Sequence, residues 1–175
     1  MRQNFLISFF CCLLFSCSLE DEKSKKLNFD NREELEKTLI LSHQAFLKKE
    51  RQRIEAFIDS IELNFKKSGT GLRYWIDSNK RRDSLKSGDI AVISYKLQLL
   101  DGNRLYESPE GKAQEFAVDY DNVESGLHEG IKYMSVGDSA VFIIPAHLAH
   151  GITGDQAAIP SQATLVYYLK LKAKK

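Results

Sequence analysis

The side chains able to do chemistry gather near the C-terminal end. His147 and His150 stand three apart in the stretch VFIIPAHLAHGITGDQAAIPSQATLVYYLKLKAKK, residues 141–175. Two imidazoles so close suit a metal, but no cysteine or carboxylate is seen at ligand spacing around them, so no metal centre is expected. The three cysteines, Cys11, Cys12 and Cys17, all lie near the N-terminus, which leaves the rest of the chain without a thiol nucleophile. There is no G-x-S-x-G elbow and no phosphate-cradling glycine loop. What remains is a long connection between two strand-like apolar runs, holding Pro145 and Pro160. Long loops inside compact domains are uncommon and usually carry function.

The elements that must position this loop follow from periodicity. LRYWI (72–76) reads as a short strand. DIAVISYKLQLLDGNRLYES (89–108) alternates, and Asp101-Gly102 is the strongest hairpin signal in the chain. SGLHEGIKYM (125–134) places Leu127, Ile131 and Met134 on one helical face. VGDSAVFIIP and ATLVYYLKLKA are two more strands. The fold class expected is α+β: a twisted antiparallel sheet wrapped around one short helix, with an apolar cavity between them.

A helical segment, residues 30–67, precedes this domain. Asp30 and Glu33 have capping-box spacing. Leu35, Leu39 and Phe46 form one part of a face, and Ile54, Phe57, Ile58, Ile61 and Phe65 form another. KKERQR (48–53) interrupts the stripe, so the segment is one long helix or two with a break there, ending before residues 68–71. Its face must bury against the following domain, a second copy or a partner; Leu47, Ile54 and Ile61 run too few heptads to define a coiled coil.

The composition, 43% hydrophobic and 28% charged over 175 residues, is that of one globular domain plus something smaller. A net charge of +1 provides no basic footprint for nucleic acid. MRQNFLISFFCCLLFSC opens with Arg2 and an apolar core too short to span a bilayer, the layout of a secretory signal peptide over residues 1–16. LFSC (14–17) resembles a bacterial lipobox, which implies cleavage before Cys17 and lipidation of its thiol. The polar stretch 17–29 reads as a tether from the membrane. Glu20, Asp21 and Glu22 resemble a surface-export signal of Bacteroidota lipoproteins and equally suit a solvated linker.

From about Gly71 to Lys175 the order and spacing of these segments resemble the FK506-binding-protein (FKBP) class of peptidyl-prolyl isomerases. The most specific blocks are GLHEGIKYMSVG (126–137) and IPAHLAHG (144–151). The whole chain is most similar to the gliding motility-associated isomerase lipoproteins of Bacteroidota. The resemblance makes AHGITGDQAAIP (149–160) a substrate flap, whose glycines and small residues suit close approach to a ligand.

Position by position, the resemblance implies that Tyr95, His150 and Tyr167 are catalytic, with His150 replacing the flap tyrosine. It implies that Leu105, Tyr106, Val123, Glu124, Leu127 and Ile159 bind substrate. At Glu124 only the backbone amide carries over, as a donor to the substrate carbonyl; the side chain there is usually apolar. Leu127 replaces a pocket-floor tryptophan, Gln114 a wall aromatic, and Leu105-Tyr106 a phenylalanine-aspartate pair, unless Glu107 shifts in by one. Read without the resemblance, Tyr95, Leu127 and Tyr167 are core residues and His150 is a surface-loop histidine.

Two functions compete. One is a lipid-anchored isomerase that assists exported proteins, linked to gliding motility. It takes proline-containing polypeptides, needs no cofactor, is anchored to a membrane through Cys17, in the periplasm or at the outer membrane, and self-associates or docks through its 30–67 helix. The other is a catalytically weak binding or chaperone module within a motility or secretion complex.

Overall fold

The structure, a computed structural model, describes residues 32–78, 83–110 and 112–175. The signal peptide, Cys17, the tether and the Asp30 cap lie outside the described residues. The chain divides into two units at Leu39. The described part of the first unit is the opening of helix α1, with an Arg32–Glu36 pair one turn apart. The second unit, residues 40–175, contains the rest of α1 and the whole sheet.

Helix α1 runs over Arg32–Asp59 without a break. The charged run does not interrupt it, because its members face different surroundings. Lys48, Lys49, Arg51, Gln52 and Arg53 are exposed, while Glu50 is buried and accepts hydrogen bonds from the Ala146 N–H (2.7 Å) and the Thr164 hydroxyl (2.8 Å). The helix stops earlier than expected. The Ser60 and Ile61 amides tighten onto the Phe57 and Ile58 carbonyls, and the Ser60 hydroxyl takes the Phe57 carbonyl as well. Ile61 and Phe65 therefore leave the helix, and the seven-residue series ends at Ile54.

Seven antiparallel strands follow: β1 Lys66–Lys67, β2 Arg73–Asp77, β3 Ile90–Leu99, β4 Arg104–Glu107, β5 Gln114–Ala117, β6 Ser139–Ile144 and β7 Leu165–Lys174. The sheet order is β1-β2-β6-β7-β3-β4, with β5 also paired to β3. Helix α2 (Ser125–Ile131) precedes β6, and a 3₁₀ turn (Ala146–Leu148) follows it. The β3–β4 loop spans residues 100–103; Gly102 takes φ +85°, and the Asp101 carboxylate accepts from the Asn103 N–H. β5 was not expected: four residues hold too little alternation to be read from sequence.

The sheet has two covered faces. Alternate residues of β6 and β7, including Phe142, Ile144, Leu165 and Leu169, point to the main core with Leu127, Ile131 and Met134. Their neighbours Val141, Ile143 and Val166 point the other way, against Ile54, Phe57 and Ile58 of α1 and Phe65 beyond it. A strand buried on both sides reads as a continuous apolar run, as AVFII does. Against the inner face, α2 sits very close to β6. A Cβ added at Gly126 would lie 2.5 Å from Ile144 Cγ2, and one at Gly130 would lie 2.6 Å from the Phe142 ring. The glycines at 126 and 130 are therefore what lets this helix dock. Among the described residues, no helix is long and apolar enough to cross a membrane.

Candidate functional site

The residues singled out in the sequence converge where β3, β7 and the long β6–β7 connection meet the N-terminus of α2. Tyr95 on β3 is half-buried, and its ring centroid lies 5.5 Å from that of Tyr167 on β7. Tyr167 is 5% exposed, Leu127 3% and Ile159 4%, all within the main core cluster. Val123 and Leu105 are half-buried against the same cluster. Ser108 holds Tyr95 in place: the Tyr95 N–H donates to the Ser108 hydroxyl (2.9 Å), and the Tyr95 carbonyl accepts from the Ser108 N–H (3.0 Å).

Glu124 departs most from the sequence reading. Its amide stands at the N-cap of α2, where the first N–H groups have no intrahelical acceptor. Its side chain, set aside on sequence grounds, is only 6% exposed and turns into the site. The Tyr167 hydroxyl donates to both of its oxygens, at 2.9 and 3.0 Å. His150 Nε2 lies 3.1 Å from Oε1. A carboxylate only accepts, so this contact puts the imidazole proton on Nε2. Instead of a purely apolar cavity, the site has a hydrogen-bonded trio, Tyr167–Glu124–His150, at its centre. His150 lies in the site as expected, but its donor is spent on Glu124. Burial first, and then the Glu124 charge, push the Tyr167 hydroxyl far above the ordinary tyrosine range and keep it a donor. Burial also raises Tyr95, with smaller contributions from Glu124 and Tyr106.

The aspartate missing after the hairpin has a replacement that sequence reading missed. Glu107 does not shift in; it is exposed on β4 opposite Lys96. Tyr106, also exposed, instead reaches across to the long connection and donates to Asp155 Oδ2 (2.5 Å). Asp155 Oδ1 accepts from the Ala157 and Ile159 amides, at 2.9 and 2.7 Å. Asp155 thus shapes the turn that presents Ile159 and ties it to β4. The Tyr106 hydroxyl, followed by the two amides, holds its carboxyl below the usual aspartate range, and the same bond raises Tyr106. The only sequence signal was an Asx-type turn residue after Gly154.

Gln114 is exposed on β5, and the buried aromatic of that strand is Phe116. His147 is not part of the site: its Nε2 lies 3.0 Å from the Thr70 carbonyl. A separate cavity of about 260 Å³ borders Glu50, Ile54, Arg73 and His147, whose polar groups are engaged with one another's neighbours. Among the described residues, no three His, Cys, Asp or Glu side chains come together as a metal-binding group.

A sheet curled around one short helix, with aromatic and aliphatic walls at that helix's N-terminus and a hydrogen-bonded flap above, defines a class: a binding domain for a small apolar group beside an amide. The model of the FKBP-type peptidyl-prolyl cis-trans isomerases matches residues 82–172, more than half of the chain, and the chain belongs to that family. Peptidyl-prolyl cis-trans isomerase FKBP10 of Mus musculus is 36% identical over 93 residues, 53% of this chain and 16% of that protein. A probable FKBP-type isomerase, FkpA, of Neisseria meningitidis is 25% identical over 155 residues, 87% of this chain and 57% of that one. The chain thus spans less than two thirds of the length of these relatives. The crystal structure of FkpA from Escherichia coli is similar at a TM-score of 0.63 and 29% identity, over 83% of this chain and 73% of that chain. An isomerase structure from Pseudomonas syringae pv. tomato shares the fold at a TM-score of 0.64 and 23% identity, over 75% of this chain and 95% of that one.

Proposed function

We propose that the protein accelerates cis/trans isomerisation of X-Pro bonds in exported polypeptides, while a lipid on Cys17 anchors it to a membrane, in the periplasm or at the outer membrane. The observation that carries the catalytic part is the wall of Tyr95, Val123, Leu127, Ile159 and Tyr167 around the N-terminus of α2. Rotation about a peptide bond has a barrier of about 18–20 kcal/mol, because resonance makes the bond partly double. Speeding it requires only that the twisted amide be bound better than the planar one. The planar amide is the more polar species and loses more on leaving water, so an apolar wall favours the twisted form. The Glu124 amide, directed out of the helix start, donates to the rotated carbonyl. No bond breaks and no cofactor takes part. The membrane part rests on LFSC at residues 14–17, and the link to gliding motility on the likeness of the whole chain to that lipoprotein class.

The Glu124–His150 contact favours a second reading, a binding or chaperone module with weak turnover, because it commits the flap donor to a protein acceptor. Isomerisation kinetics of X-Pro peptides with the full chain in detergent separate the two. Clear acceleration establishes the enzyme; binding of the same peptides without acceleration establishes the module. For the anchor, Cys17→Ser is expected to move the protein from the membrane to the soluble fraction of fractionated cells. Retention in the membrane overturns that part.

A further inference from the structure

Isomerisation leaves one group in the site without a task. It calls for an apolar wall and hydrogen-bond donors, whereas the Glu124 carboxylate is an acceptor with a charge. Its side chain is 6% exposed, and no lysine or arginine pairs with it among the described residues. Its donors are the His150 imidazole and the neutral Tyr167 hydroxyl. A carboxylate offers about four acceptor positions. Here one hydroxyl is shared between both oxygens, and one imidazole serves Oε1 alone. Oε2 therefore retains capacity for another donor. Its partner His150 is 33% exposed at the side chain. A second carboxylate, Asp155, lies on the same flap as His150.

We infer that Glu124 is a specificity residue, the counter-charge for a lysine or arginine preceding the proline of a bound polypeptide. This rests on the isomerase reading of the site. A bound chain displaces water from around Glu124, and there an opposite charge is worth far more than on an open surface. An acidic residue in the same place meets a like charge and is rejected. The net charge of +1 provides no overall field to do this sorting, so discrimination is local.

The test compares tetrapeptides with Lys, Leu or Glu before proline. Isomerisation rate and peptide binding are both read by NMR exchange on the full chain in detergent, at low and high salt. The expected Lys-to-Glu ratio is about tenfold or more in the wild type and falls only slightly as salt rises, because the pair is shielded from water. In Glu124→Gln and in Glu124→Ile, both checked for fold by circular dichroism, the ratio falls toward one, whatever happens to the overall rate. A wild-type ratio near one overturns the inference while leaving the isomerase intact. A ratio unchanged in both variants overturns it as well and moves the selectivity to Asp155. If peptides bind without being turned over, the isomerase reading fails and the ratio of dissociation constants decides. If no peptide binds, both fail together.

Discussion

Two glutamates are buried among the described residues, one on each face of the sheet, and they are held in different ways. Glu50, from α1 on the outer face, accepts from a backbone amide and a threonine hydroxyl in the loops that flank β6 and β7. Glu124, at the start of α2 on the inner face, accepts only from side chains, Tyr167 and His150, in the candidate site. Backbone donors are set by the fold and cannot turn elsewhere, whereas an imidazole at the mouth of a site can. The difference separates a carboxylate that clamps a helix to the sheet from one that can exchange partners with a ligand.

The largest expected effect breaks the clamp. Glu50→Ala leaves the Ala146 amide and the Thr164 hydroxyl without their acceptor, at a cost of about 2–3 kcal/mol, read as a lower urea midpoint with the slope unchanged. A change below about 0.5 kcal/mol would mean that water substitutes for the carboxylate, and the contrast with Glu124 would collapse. Next comes the closeness of α2 to β6. Gly130→Ala drives a Cβ into the Phe142 ring and is expected to cost about 1–3 kcal/mol in the same measurement.

Glu124→Gln should be milder than Glu50→Ala, under about 1 kcal/mol, because the amide oxygen can still accept from Tyr167 or His150. Its main effect belongs in the charge preference for peptides; a stability loss as large as that of Glu50→Ala would make both residues clamps. The smallest effect concerns the flap. The Asp155 carboxyl titrates below its unfolded value, so its support for the flap is complete above the ordinary aspartate range and lost only as pH falls through the lowered value. Hydrogen exchange at Ala157 and Ile159 should therefore stay slow through the ordinary aspartate range and quicken at still lower pH. Tyr106→Phe should shift that quickening upward, since the tyrosine hydroxyl is the main cause of the lowering.

Much of the inner layer was legible locally. The alternation of β3, β6 and β7, the Asp101-Gly102 turn and the Leu127–Ile131–Met134 face are short-range patterns, and each became the element it predicted. Tyr95 and Tyr167 have ring centroids 5.5 Å apart, and Leu127 and Ile159 belong to the same core cluster, with Val123 packed against it. The outer layer was less legible. The burial of Glu50 depends on partners 96 and 114 residues away along the chain, and the stop of α1 at Asp59 is marked only by the turn bonds of Ser60 and Ile61.

The amino-acid order by itself determined β2, β3, β4, β6, β7 and the short helix, because periodicity and turn chemistry act between near neighbours. Only the tertiary structure decided where the polar groups of the site go. Glu124 finds His150 at a separation of 26 residues and Tyr167 at 43, and Tyr106 finds Asp155 at 49. Hydrogen-bond partners so distant leave no local pattern, since their geometry exists only once the sheet has curled around α2 and the flap has closed on β4.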